Sequence, residues 1–179
     1  LPWLQRRIER ALELDPNNAL AHAYYVEIML DSFYDGSSSF EVVEKAIEEY
    51  VPTNSRSQLV TSGTNQIVMD AYNANPSSMR AAIENFAKMH SPDKVVMLGA
   101  MAELGSESLE EHQAIIELLV KFSWKEVVLV GGDFQKIAHP FTGLNNVAEA
   151  AEWFRNNQFQ HTAILIKGSR SMQMEKVLA

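Results

Sequence analysis

No cysteine occurs in the 179 residues, so neither a disulfide framework nor a thiolate metal site is open to this chain. Long apolar runs are absent too: nothing approaches the ~20 residues that span a bilayer, and no signal-peptide pattern opens the sequence. An excess of positive charge is also missing. The formal net charge of −8 argues against non-specific binding to nucleic acid or to an anionic membrane surface. Together these absences make the cytoplasm the expected compartment. Histidine is sparse: His22, His90, His139 and His161 are scattered without ligand spacing, and no metal site is assigned. Residue 1 is Leu rather than Met, which points to a fragment or a processed chain.

What is present is an apolar share of 46%, enough to fill a core. The length suits one compact α/β domain with an additional segment. The organising stretch is Asp70-Ala71-Tyr72-Asn73-Ala74-Asn75-Pro76. Residues 65–69 before it are rich in β-branched side chains and read as a buried strand. After it, Pro76 suits the first position of a helix, and Met79, Ile83 and Phe86 recur at helical spacing. Asp70 and the two asparagines therefore sit where a strand ends and a helix begins. In an open α/β sheet that is the ligand-binding crevice, with free N–H groups and the positive dipole end facing anions. Asp70 and the asparagines also suit bland duties there, Asp70 as a helix cap and Asn73 and Asn75 as turn-formers bonding their own backbone.

Residues 1–50 differ in character and read as three helices separated by Asp15-Pro16-Asn17-Asn18 and Asp35-Gly36-Ser37-Ser38-Ser39. The run from Glu9 to Asn18 is echoed from Glu44 to Asn54, an offset near the 34-residue period of tetratricopeptide repeats. A repeat remnant that binds a protein partner and a plain helical hairpin both fit, since a stable solenoid needs more repeats than this.

From residue 51 the pattern becomes strands alternating with helices. Strands are expected at 94–99, 126–131 and 162–167, and helices at 109–122, 147–157 and 171–178. Continuous apolar strands of this kind imply a Rossmann-like, mostly parallel sheet with helices on both faces. The turns at 70–73, 131–133 and 167–170 are expected to gather on its carboxyl edge.

Four stretches carry a family resemblance: Ser55-Arg56-Ser57-Gln58, the run from Asp70 to Met79, Leu98-Gly99-Ala100-Met101-Ala102-Glu103-Leu104-Gly105, and Lys167-Gly168-Ser169-Arg170-Ser171-Met172 with Met174-Glu175. In this order they resemble the C-terminal domain of the Mur ligases, in the branch that adds D-alanyl-D-alanine to UDP-N-acetylmuramoyl-tripeptide. The resemblance covers roughly residues 40–179. It divides the chain into a helical, repeat-like segment over 1–36, a helix and linker over 37–62, and the α/β ligase domain over 63–179.

The resemblance implies an ATP- and magnesium-dependent route, in which a carboxylate activated as an acyl phosphate is displaced by an amine to form an amide. The family's triphosphate cradle is a P-loop in a central ATPase domain, onto which the C-terminal domain closes. No G-x-x-x-x-G-K-[ST] motif occurs here, so this chain alone is expected to be catalytically silent, with no catalytic residue of its own. By the same resemblance Arg56, Asp70, Tyr72 and Asn73 fall on the nucleotide side. Asn75, Lys167, Gly168, Ser169 and Arg170 fall on the side of the amine substrate.

These residue types suit the roles. A guanidinium grips phosphate or carboxylate through two parallel hydrogen bonds, and a carboxylate accepts from ribose hydroxyls. Two cations beside a glycine that admits backbone suit the terminal carboxylate of a dipeptide. The bland alternative for each cation is a solvated side chain. His112 also matches a family position, although a lone histidine on a helix is more often a surface or packing residue than a catalyst. One departure stands out, because Ala100 occupies a position where the family usually carries aspartate. A carboxylate there would orient a cation on the amine side, and its loss favours a second reading: a non-catalytic interaction module carrying a relic ligase domain.

Overall fold

The structure, a computed structural model, describes residues 58–179. The expected repeat-like segment, the part of the linker up to residue 57, and Arg56 lie outside the described residues.

Six strands and three α-helices make up the described part. Strand β1 (Gln58–Ser62) turns back through Gly63 into β2 (Asn65–Asp70), which leads into helix α1 (Pro76–Lys88). Strand β3 (Asp93–Gly99), helix α2 (Ser108–Leu119), strand β4 (Glu126–Val130) and the short strand β5 (Thr142–Leu144) follow. Helix α3 (Val147–Asn157) and strand β6 (Thr162–Lys167) complete the alternation, and two 3₁₀ turns, Arg170–Met172 and Met174–Leu178, close the chain. The sheet runs β1-β2-β6-β3-β4-β5, with β1 antiparallel to β2 and every other pairing parallel.

The parallel order follows from hydrophobicity. Strand β6 is buried at every residue and takes the central place between β2 and β3, as a strand with no solvent face must. Successive side chains alternate between two cores. Val96, Leu98, Leu129 and Leu165 pack with α1 and α2 on one face, through Ile83, Phe86, Ile115 and Leu119. Val95, Met97, Val128 and Ile166 face the other way, toward Ala150 of α3 and Met174 and Val177 of the final 3₁₀ turn.

Helix termini are set by named side chains. Asn75 is the N-cap of α1, with its Oδ1 accepting from the Ser78 amide at 2.8 Å while the Ser78 hydroxyl accepts from the Asn75 amide at 3.1 Å. Pro76 occupies the first turn, where its missing N–H leaves no bond unmade. Asn146 caps α3 through its Oδ1, which accepts from the Glu149 amide at 3.0 Å.

The strands at 94–99, 126–131 and 162–167 and helices α2 and α3 fall where periodicity expects them. Three elements differ. Strands β1 and β5 carry no continuous apolar run, being a partly exposed edge hairpin and a three-residue edge. The single helix expected over 171–178 is two 3₁₀ turns divided at Gln173, which adopts a left-handed φ of 52°. The cap of α1 is Asn75 rather than Asp70.

Gly132 has φ +55°, and a Cβ built there would lie 2.3 Å from the Cβ of Ala100. Gly132→Ala is expected to lower stability by about 1–3 kcal/mol through backbone strain and this clash. A lowered thermal midpoint by circular dichroism is the expected observation, and an unchanged one removes the account of how the β3 and β4 ends abut.

Candidate functional site at the carboxyl edge of the sheet

The ends of β2, β3, β4 and β6 meet on one edge, and each is tied to the next by a specific contact. Asp70 ends β2 beside Lys167, the last residue of β6, as its register partner. Lys167 Nζ donates to Asp70 Oδ2 at 2.5 Å and to the carbonyl of Asn73 at 3.0 Å. The lysine side chain is 1% exposed and that of Asp70 19%. Following the alternation along β6, Lys167 shares the α1 face with Ala163 and Leu165. A cation in that position must be paired, because an unpaired ammonium there would keep its desolvation cost.

The next tie joins β6 to β3. Ser169 is 3% exposed, and both its hydroxyl and its amide donate to the carbonyl of Ala100, at 2.8 and 3.3 Å. Gly168 and Gly99 lie back to back beneath the Met174 side chain: a Cβ on Gly168 would meet Met174 Cγ at 2.7 Å and Gly99 Cα at 3.2 Å. The glycine thus admits a neighbouring strand end and a methionine. Strand β3 is tied to β4 by the Ala100 amide, which donates to the Val130 carbonyl at 3.0 Å.

Arg170 and Tyr72 occupy the open side of this floor. The guanidinium carbon lies 5.5 Å from the centre of the tyrosine ring, a cation–π contact, and Tyr72 is 36% exposed. Asn73 Oδ1 accepts from the Ala74 amide at 2.8 Å, and Asn75 is occupied by its cap. The structure therefore brings Asp70, Tyr72, Asn73, Lys167, Gly168, Ser169 and Arg170 together on one edge, with Asn75 at the mouth of α1. Lys167 and Ser169, expected as loop residues offered to a ligand, are buried and bonded within the domain. Among the described residues no three His, Asp or Glu side chains cluster as a metal site. No helix among them is long and apolar enough to cross a membrane.

Sequence reasoning matched His112 to a family position and otherwise to a surface or packing residue, without a role for its ring nitrogens. It is fully buried, stands edge-on to Phe134 at 4.6 Å, and has both ring nitrogens engaged with backbone groups, Met101 in the β3–α2 connection and Ser108 at the start of α2. Beside it, the Asp133 carboxyl is held below its ordinary value, first by the hydrogen bond from Lys136 and then by one from the Ser108 hydroxyl, against a smaller opposing effect of burial. Glu175 lies in the last of the four family-like stretches. Its Oε2 is buried without a hydrogen-bond partner among the described residues.

The comparisons with known proteins agree with this architecture. The family described as "Mur ligase, glutamate ligase domain" matches residues 55–170. This chain belongs to the Mur ligase family. It is 27% identical over 146 residues to the UDP-N-acetylmuramoyl-tripeptide–D-alanyl-D-alanine ligase of Rickettsia prowazekii, covering 77% of this chain and 32% of that protein. The Mycobacterium tuberculosis enzyme of the same name is 39% identical over 101 residues, covering 52% of this chain and 20% of that one. A crystal structure of MurF from Acinetobacter baumannii matches with a TM-score of 0.67 at 27% identity, over 79% of this chain and 33% of that one. MurF from Thermotoga maritima, solved in complex with ADP, shares the fold with a TM-score of 0.68 at 22% identity, over 84% of this chain and 35% of that one. The chain spans about a third of the length of the first of these relatives. The Mur ligase fold expected from the four motifs is thus the observed one, a mostly parallel sheet with helices on both faces.

Two outcomes are expected from the site's electrostatics. Lys167→Met removes the ammonium that meets the Asp70 carboxylate and the Asn73 carbonyl and is expected to cost about 2–4 kcal/mol, below the figure for a wholly buried pair because Asp70 keeps some contact with water. Adding Asp70→Asn to it recovers part of the loss in a double-mutant cycle read by urea unfolding, and strict additivity would deny the pairing its role. Asp133 supplies the second. A carboxyl lowered in the folded state contributes stability that is complete above the ordinary value of 3.8 and is lost as pH falls through the folded value. Asp133→Asn is expected to flatten that part of the acid limb in thermal midpoints measured across pH, and identical limbs for both proteins contradict it.

Proposed function

We propose that this chain is the nucleotide-closing and amine-substrate-binding domain of an ATP-dependent, amide-forming ligase of the cytoplasm. The reaction proposed is the addition of D-alanyl-D-alanine to UDP-N-acetylmuramoyl-tripeptide in peptidoglycan synthesis. The observation that carries this reading is the meeting of Asp70, Tyr72 and Arg170 on one carboxyl edge, in a chain whose relatives bear that ligase name. A solved relative in complex with ADP supports a nucleotide as ligand of the family fold.

The residues fit a nucleotide in kind. A carboxylate that accepts from hydroxyls stands two residues from an exposed aromatic ring, at the approach to a helix N-terminus where anions are favoured. In this reading Arg56, Asp70, Tyr72 and Asn73 form the nucleotide side, and Asn75, Lys167, Gly168, Ser169 and Arg170 the substrate side. The substrate side divides by burial. Arg170 is exposed and suits a bidentate grip on a dipeptide carboxylate, while Lys167, Gly168 and Ser169 hold the turn that presents it. ATP with magnesium supplies carboxylate activation when bound. Its phosphates and metal would be held mainly by a central ATPase domain, the partner onto which this domain closes.

The alternative, a non-catalytic module whose helical segment binds a protein partner, draws on Ala100. That residue is 3% exposed, and its backbone is bonded to both neighbouring strand ends. These ties require no carboxylate, so the alanine leaves the frame of the site intact.

The test joins this chain to the substrate and P-loop domains of a Mur ligase and measures phosphate release dependent on D-alanyl-D-alanine. Arg56→Ala and Asp70→Ala are each expected to lower kcat/KM for ATP at least about tenfold, the scale of one lost charge-assisted contact. Undiminished activity in both variants removes the nucleotide assignment. A joined protein that folds with no turnover at all favours the interaction module.

A further inference from the structure

The first turn and a half of α2 carries a buried group that the ligase reading leaves unused. His112 lies on α2 and is wholly inaccessible to solvent. Its Nδ1 lies 2.6 Å from the Ser108 carbonyl oxygen, and its Nε2 accepts from the Met101 amide at 3.0 Å. A carbonyl oxygen only accepts and a backbone N–H only donates. The ring must therefore be neutral, with its proton on Nδ1 and its lone pair on Nε2. The other tautomer sets a lone pair against a carbonyl, and the imidazolium sets two N–H groups against each other.

The charged and titratable groups around it leave this arrangement in place. Asp133, from the 3₁₀ turn Gly132–Lys136 after β4, lies within electrostatic reach of the ring and is engaged by Lys136 and by the Ser108 hydroxyl, whose oxygen lies 3.4 Å from His112 Nδ1. Glu111, the neighbour of His112 on α2, is drawn outward to Arg80 of α1 at 3.5 Å. Phe134 closes the remaining side of the ring.

Met101 is the residue after Ala100, whose carbonyl receives both the hydroxyl and the amide of Ser169. Fixing the Met101 peptide therefore fixes the plane that the 167–170 turn hangs from, because the Ala100 carbonyl and the Met101 amide belong to one rigid peptide unit. We infer that His112, as the Nδ1-protonated tautomer, is a positioning residue: by holding the Ala100–Met101 peptide it sets the Ser169–Arg170 turn from 57 positions away in sequence. Its relevance to substrate rests on the proposed function, but the contact itself does not.

The test is made on the 179-residue chain, with His112→Phe and His112→Gln. The glutamine keeps one donor and one acceptor and the phenylalanine keeps neither. Amide exchange by NMR in His112→Phe is expected to accelerate about tenfold or more at both Met101 and Ser169, with β3 and β6 interior amides unchanged. His112→Gln restores protection at both. The wild-type imidazole is expected to show a protonated Nδ1 and a bare Nε2 in two-bond proton–nitrogen correlations. Accelerated exchange at Met101 with Ser169 unmoved overturns the inference, as does an Nε2-protonated or doubly protonated ring. If His112→Phe does not fold, the glutamine variant and the tautomer decide. No readout involves nucleotide, so failure of the ligase assignment leaves this result standing, and the reverse also holds.

Discussion

A single buried ammonium constrains the whole carboxyl edge. Lys167 ends the most enclosed strand of the sheet, on the side where α1 covers it, and can be there only because Asp70 and the Asn73 carbonyl meet it. That requirement fixes the register of β2 against β6 and folds the 70–75 turn back over the strand ends. It also delivers Asn75 to the start of α1, where its side chain and that of Ser78 satisfy each other's backbone amides. The pair joins residues 97 apart in sequence, so a local accident of the chain does not explain it.

The rest of the edge is built by close approach. Gly99, Gly132 and Gly168 each stand where a Cβ would collide with a neighbour, and Met174 fills the space over two of them. Small residues let β3, β4 and β6 end at one level, and hydrogen bonds through the Ala100 peptide then lock those ends together. The result is a preorganised floor with Tyr72 and Arg170 standing on it. Preorganisation of this kind matters for a domain that closes onto a ligand, since groups already held in place lose little freedom on binding.

Much of this was legible in the sequence, and what was hidden was hidden for definite reasons. The β2–turn–α1 stretch could be read because strand composition, Asn75 and Pro76 are local signals. So could β3, β4 and β6, whose apolar runs are continuous. Strand β1 was missed because an edge hairpin has water on much of its surface and lacks such a run, and β5 because three residues give no period at all. The fate of Lys167 was illegible for a different reason. A lysine beside glycine, serine and arginine reads as a solvated loop, and only the strand order places it under α1 opposite Asp70. His112 was legible in position and not in role, since its two partners are backbone groups, which sequence does not distinguish.

The same ion pair bears on whether the domain is a working part or a relic. An isosteric apolar pair at Asp70 and Lys167 would serve stability as well or better, because the gain from pairing buried charges seldom exceeds the cost of desolvating them. Stability alone thus gives no reason for charge at this place, whereas the nucleotide side proposed above would supply one: a carboxylate held in one orientation at the end of β2. The alanine at position 100 removes a carboxylate that would orient a cation on the amine side, but it leaves the strand ends tied, because its contacts there are made by the backbone. Weighed together, a costly charge pair kept at the strand ends and a frame that is complete without an acid at 100 favour the ligase domain over the relic.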